Sequence, residues 1–162
     1  MNLSHLAIRI EDLLLDAGVH PRKEGLDSLP DYHRVKHEDV DAILISHCHL
    51  DHIGSLPVAL SYFPHARVLM SEASAVLAPV MLHHTARVMN RLVAEGIYEQ
   101  PLFSGSDIDL ISYVFQGMDG DRPFPLRALE RHKPDLEARF FDAGHILGAA
   151  GIWLESPTAK VF

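Results

Sequence analysis

Residues 47–52 read His-Cys-His-Leu-Asp-His, which places His47, His49, Asp51 and His52 within six positions. In an extended segment, side chains two apart lie on the same side, so His47 and His49 can converge on one ion. Asp51 and His52 follow as the chain turns, and Gly54 permits a tight approach, so this pair can address a second ion nearby. Imidazole and carboxylate ligands suit zinc, with manganese or iron as alternatives. A structural zinc site is closed by four protein ligands, usually including cysteines. This set leaves a position open, and the chain has a single cysteine, Cys48. Flanked by two same-side histidines, Cys48 should point away from any ion and serve as a small buried residue. Histidines can also gather by chance in a surface loop. The apolar run AILIS at 42–46 and the strict alternation behind it argue against that.

The elements that position this run can be read coarsely. Residues 42–46 fit a buried strand. Residues 5–10 and 13–16 read as strands around a turn at Glu11-Asp12, and residues 17–36 form a loop broken by Pro21, Gly25 and Pro30. That loop is too long for an ordinary connection, so it is functional or mobile. Residues 53–62 suit a helix and 66–70 a strand. The spacing of Val76, Leu77, Val80, Met81, Val88 and Leu92 predicts a helix over 72–95, with Pro79 either kinking it or marking its start. A second helix is expected over 106–115, capped by Ser106 with Asp107 and Asp109 in its first turn. Residues 117–125 are turn-rich, and 137–142, 151–155 and 159–162 read as strands. Interleaved strands and helices make the class α/β or α+β, with a mixed sheet and flanking helices.

The chain has 162 residues, the size of one domain. Its 14 Lys and Arg against 22 Asp and Glu give a formal charge of -8, which excludes a nucleic-acid domain acting by bulk positive charge. One cysteine excludes an intrachain disulfide framework. No apolar run reaches the roughly 18 residues needed to span a membrane. The opening MNLSHLAIRI lacks a basic-then-apolar leader pattern, so a cytoplasmic location and no membrane partner are expected.

The run SHCHLDHIG resembles the His-x-His-x-Asp-His signature of the metallo-β-lactamase fold. LLLDAG, containing Asp16, is similar to the preceding strand of that fold, and the segment 142–150, DAGHILGAA, resembles its next signature. The form AGHILGAA, with the helical stretch from residue 71 to about 117, resembles the β-CASP branch of RNA-processing and DNA-repair nucleases. The resemblance extends from about residue 13 to residue 162. It implies an αββα sandwich in which His47, His49 and His145 bind a first zinc. Asp51 and His52 would bind a second and take part in catalysis, and Asp16 would orient a ligand by hydrogen bonding. The bridging Asp of the family, its later His and the β-CASP domain are not found in residues 1–162. The whole chain is therefore expected to be a partial metallo-β-lactamase domain, the N-terminal part of a longer enzyme.

The activity implied is zinc-dependent hydrolysis of a phosphodiester by a metal-activated water, with RNA as the expected substrate. The metals of such a site also attack carbonyls, so an ester or thioester hydrolase of the same fold is the alternative enzyme. A non-catalytic scaffold subunit of an RNA-processing complex is a third reading, disfavoured because all five ligand positions hold competent residues. Two zinc ions are expected in the complete enzyme. In this chain one should be held well and the second weakly, leaving it inactive or nearly so. Among the other histidines, His83-His84 on the long helix and His20, His33, His37, His65 and His132 read as surface or packing residues. Arg22-Lys23 could position an anionic substrate, although a solvated pair is the plainer reading.

Overall fold

Residues 13–15, 42–44 and 67–71 are short and apolar, and they lie side by side in one parallel array. In the computed structural model, which describes residues 2–4, 7–10, 12–36, 40–126 and 136–162, these segments are the centre of a six-stranded sheet. Its order is β1 (Asn2–Ser4), β2 (Ala7–Ile10), β3 (Leu13–Leu15), β4 (Ala42–Leu44), β5 (Arg67–Ser71) and β6 (Phe115–Met118). The first two junctions are antiparallel and the remaining three parallel. A second, antiparallel sheet has the order β10 (Lys160–Val161), β9 (Ala150–Glu155), β8 (Glu137–Asp142) and β7 (Phe124–Pro125).

The central strands are buried on both faces, which explains why they read as apolar runs without alternation. Leu14, Ile43 and Val68 point to a helical layer, α2 (Leu56–Tyr62), α3 (Glu72–Ala94) and α4 (Gly105–Ser112), preceded by a single turn α1 (Leu50–Ile53). Leu13, Leu44 and Leu69 point the other way and meet Phe124, Ala138, Phe140 and Leu154 of the second sheet. The result is helix, sheet, sheet. Among the described residues no helix covers the far face of the second sheet, so three of the four expected layers are present. No helix among them is long and apolar enough to cross a membrane.

Several sequence expectations shift. The helix over 72–95 forms as α3, but it neither starts nor stops at Pro79. Ser71 caps it, accepting from Ser74 N, and Ala78, Leu82, Ala86 and Met89 bury a continuous stripe around the proline. The helix expected over 106–115 begins one residue earlier and ends at Ser112. Its cap is Ser104, not Ser106: each serine has an Asp three positions on, but it is Asp107 that accepts from Ser104 N and Oγ while Asp107 N donates to Ser104 Oγ. Asp109 lies beyond that first turn and instead accepts from His83 Nε2 at 2.9 Å. Strands β6 and β7 fall in a region read as helix end and turns; they form through pairing with β5 and β8, which no local pattern encodes. Residues 5, 6, 11, 37–39 and 127–135, with His37 and His132, lie outside the described residues.

Candidate metal centre

Strands β3 and β4 run parallel, and their carboxyl ends deliver Asp16 and then residues 45–49 to the same edge of the sheet. That edge is where open parallel sheets bind ligands. Asp16 adopts a left-handed conformation (φ 59°) that Asp tolerates better than most residues. Its backbone N–H is tied to Leu44 O at 2.9 Å, and its carboxylate turns toward Ser46.

Ser46 organises the cluster. Its N–H donates to Asp16 Oδ1 at 2.7 Å and its hydroxyl to Asp16 Oδ2 at 2.9 Å. With that proton spent, Ser46 Oγ can only accept from His47 Nδ1, 3.0 Å away. His52 Nδ1 donates to the same Asp16 Oδ2 at 2.7 Å. One carboxylate therefore sets two tautomers. His47 and His52 both carry their proton on Nδ1, and both present a lone pair at Nε2.

His47 Nε2 lies 3.1 Å from His49 Nδ1, and His145 Nε2 lies 3.2 Å from the same atom. A ring nitrogen has one in-plane proton or one lone pair, so His49 Nδ1 cannot satisfy two such neighbours by hydrogen bonding. A cation can satisfy all three. With metal–nitrogen bonds of roughly 2.0–2.1 Å, the edges of a tetrahedron are about 3.3 Å, close to both spacings. The three nitrogens lie within 4.8 Å of one another, and the residues run from buried His47 to exposed His145. The donor set fits a metal ion with a fourth position open. Burial, reinforced by the neighbouring imidazoles of His52, His49 and His145, holds His47 below its ordinary pKa and so favours the neutral imidazole that a metal ion needs. Beside the triad, His52 Nε2 is 3.7 Å from Asp51 Oδ2.

His145 reaches the triad from the second sheet through a braced loop. Ala150 N donates to Ser46 O at 2.8 Å, and Ala143 N to Ala149 O at 3.0 Å. Gly148 O accepts from Ser71 Oγ at 2.7 Å and from Ser74 Oγ at 3.0 Å, pinning the loop to the start of α3. A side chain at 148 would strike Ser74 N at 2.7 Å, and its φ of 80° is also unfavourable for one.

The turn carrying Asp51 and His52 is braced from the other side. Ala17 N donates to His52 O, Val19 N to Leu50 O, and Ser55 N to Ala17 O. Gly18 lies so close that a Cβ there would overlap the Asp51 carbonyl. Ser55 Oγ donates to Gly18 O at 2.9 Å and so accepts from Tyr32 Oη at 2.6 Å. Tyr32 is buried, and burial raises its phenol pKa. The long early loop thus packs as a buttress behind the site. Cys48 is buried with its thiol directed at Ser74 O, away from the triad, as expected. His33 pairs with Tyr62 Oη at 2.8 Å and His83 with Asp109, packing roles both. Ser46, Gly18, Tyr32, Ser55 and Gly148 are the positions that reading the sequence did not assign; Ser46, Gly18 and Gly148 sit inside the three quoted motifs.

A profile of the metallo-beta-lactamase superfamily matches residues 11–126. Among curated proteins, the chain is 31% identical over 154 residues to an endoribonuclease YSH1 of Kluyveromyces lactis, covering 92% of this chain and 19% of that protein. It is 32% identical to the Saccharomyces cerevisiae endoribonuclease YSH1, covering 92% and 19%. It is 27% identical to the cleavage and polyadenylation specificity factor 73 of Drosophila melanogaster, covering 96% and 21%. The chain thus spans about a fifth of the length of these relatives. Among solved structures, the dizinc quorum-quenching lactonase AidC, in complex with a product, has the same fold at a TM-score of 0.53. That match is 16% identical and covers 94% of this chain and 51% of the other.

Proposed function

The chain belongs to the metallo-beta-lactamase superfamily, and on that premise we propose that residues 1–162 form part of the metal-dependent site of an RNA-cleaving hydrolase. The observation that carries this reading is the convergence of His47 Nε2, His49 Nδ1 and His145 Nε2, with two tautomers fixed by Asp16. His47, His49 and His145 would hold one zinc ion; Asp51 and His52 would hold a second, more weakly. Bound zinc supplies Lewis-acid activation of water and neutralises charge on phosphoryl oxygens.

The residues of the chain do the rest. Asp16 keeps protons on Nδ1 of His47 (through Ser46) and of His52, so that their Nε2 atoms stay basic. The half-exposed Asp51 carboxylate adds negative charge beside His52. The His145 loop closes one side of the site, and the 17–19 segment holds the other. The relatives named endoribonuclease support RNA as the substrate. Five metal-competent side chains weigh against a scaffold role, and activity is proposed for a protein that joins this segment to the bridging Asp and the β-CASP domain, with residues 1–162 alone inactive or nearly so.

The test is to incubate zinc-loaded protein that also includes the bridging Asp and the β-CASP domain with single-stranded RNA and, separately, with a thioester. RNA cleavage that stops on chelation is expected; hydrolysis of the thioester alone would overturn the nuclease reading.

A further inference from the structure

Beside the metal centre the structure encloses a second feature that the hydrolytic reading does not use. A cavity of about 530 Å³ lies between the early loop, the α1 turn and the second half of α3. Its lining is mainly apolar and includes Val88, Met89 and Leu92 of α3 together with Tyr98. Its rim carries Lys23, His20 and His84, and it reaches Asp51. An adjoining cavity of about 390 Å³ shares Gly25, Tyr98 and Leu102 but is edged by Glu24, Asp27 and Glu99, and touches no residue of the metal cluster. The two hollows therefore differ in charge as well as in place. Only the larger combines an apolar interior, a lysine with two histidines, and continuity with the cluster.

We propose that the larger cavity receives the base of a nucleotide flanking the scissile phosphodiester, with Lys23 and the two histidines facing its phosphate. The inference rests on the RNA-cleaving reading and extends it to substrate placement. A flat base needs an apolar slot with an aromatic face, which Tyr98 and the α3 side chains supply. A phosphodiester needs donors or positive charge nearby, supplied here by the Lys23 ammonium and the imidazoles of His20 and His84 on a chain whose net charge is -8. Asp51 lies both on this cavity and beside His52, so a strand seated here leads toward the metal centre. Lys23 thereby takes up the anion-positioning role offered for the Arg22-Lys23 pair, and His84 gains one beyond a surface residue.

The experiment measures binding of a short, end-labelled single-stranded oligouridylate to the zinc-loaded chain by fluorescence anisotropy, with zinc uptake measured in parallel. Val88→Trp fills the cavity and Lys23→Glu reverses the rim charge. Each is expected to weaken RNA binding about tenfold while zinc uptake stays as in the wild type. The Lys23→Glu effect should fade at high salt and the Val88→Trp effect should persist. If Val88→Trp fails to fold, Lys23→Glu with its salt dependence decides. Wild-type RNA affinity in both variants, or no RNA binding by the wild type, overturns the inference and leaves the metal centre standing. Cavity-dependent RNA binding without zinc uptake would instead remove the metal reading and keep the cavity.

Discussion

His52 Nδ1 lies 2.7 Å from Asp16 Oδ2, a carboxylate that also accepts from the hydroxyl of Ser46. This contact, between residues 36 positions apart, fixes the His52 tautomer and the direction its free nitrogen faces. Removing it by Asp16→Asn should leave the fold in place but release both His52 and, through Ser46, His47. Zinc affinity is expected to fall about 10–100-fold, read by competition with a chromophoric chelator.

The same pair gives the metal-free chain a pH signature. The hydrogen bond to Asp16, helped by the charges of Asp16 and Asp51, holds His52 above its ordinary pKa against the effect of burial. A raised folded pKa contributes stability that is fully present below the unfolded value and is lost as pH rises through the folded one. The stability gap between wild type and Asp16→Asn should therefore be wider near about pH 6 than near about pH 8. His47 runs the other way: held low by burial, it costs stability as pH falls through its folded value. Denaturant titrations of both proteins, in chelator, at the two pH values check the sign.

Gly148→Ala should act at a distance. The new methyl would meet Ser74 N and Ser71 Oγ, displacing the carbonyl that both serine hydroxyls hold. The His145 loop is then expected to detach, lowering zinc affinity more than it lowers the unfolding midpoint. A parallel zinc titration and thermal melt separate the two effects, with Ser74→Ala as the milder companion.

Tyr32→Phe removes one buried hydrogen bond and leaves Ser55 Oγ with its donation to Gly18 O intact. The expected cost is about 1 kcal/mol in urea denaturation. Gly18→Ala forces a methyl onto the Asp51 carbonyl and should cost over about 3 kcal/mol or prevent folding.

What the sequence disclosed follows from range. The His47–His52 run and the AILIS strand are local patterns, so spacing and periodicity carried them, whereas Asp142–His145 was legible only through its resemblance to the family's next signature. The cap at 104–107 was not decidable locally: two serines competed, each with an Asp three residues on, and Asp109 of the second pair instead meets His83 from 26 positions away. Ser71 and Gly148 meet across 77 positions, and Tyr32 and Ser55 across 23; their types are common, and only the fold brings them together. Strands β6 and β7 were missed for the same reason. Their residues have weak strand character, and their neighbours in the sheet supply the pairing.

The most direct test is the zinc stoichiometry of the 162-residue chain and of its His49→Ala and His145→Ala variants, by isothermal titration at neutral pH. The account predicts one tight equivalent in the wild type, lost in both variants, since His49 Nδ1 is the atom the other two nitrogens share. No uptake by the wild type, or equal uptake by all three proteins, would contradict it.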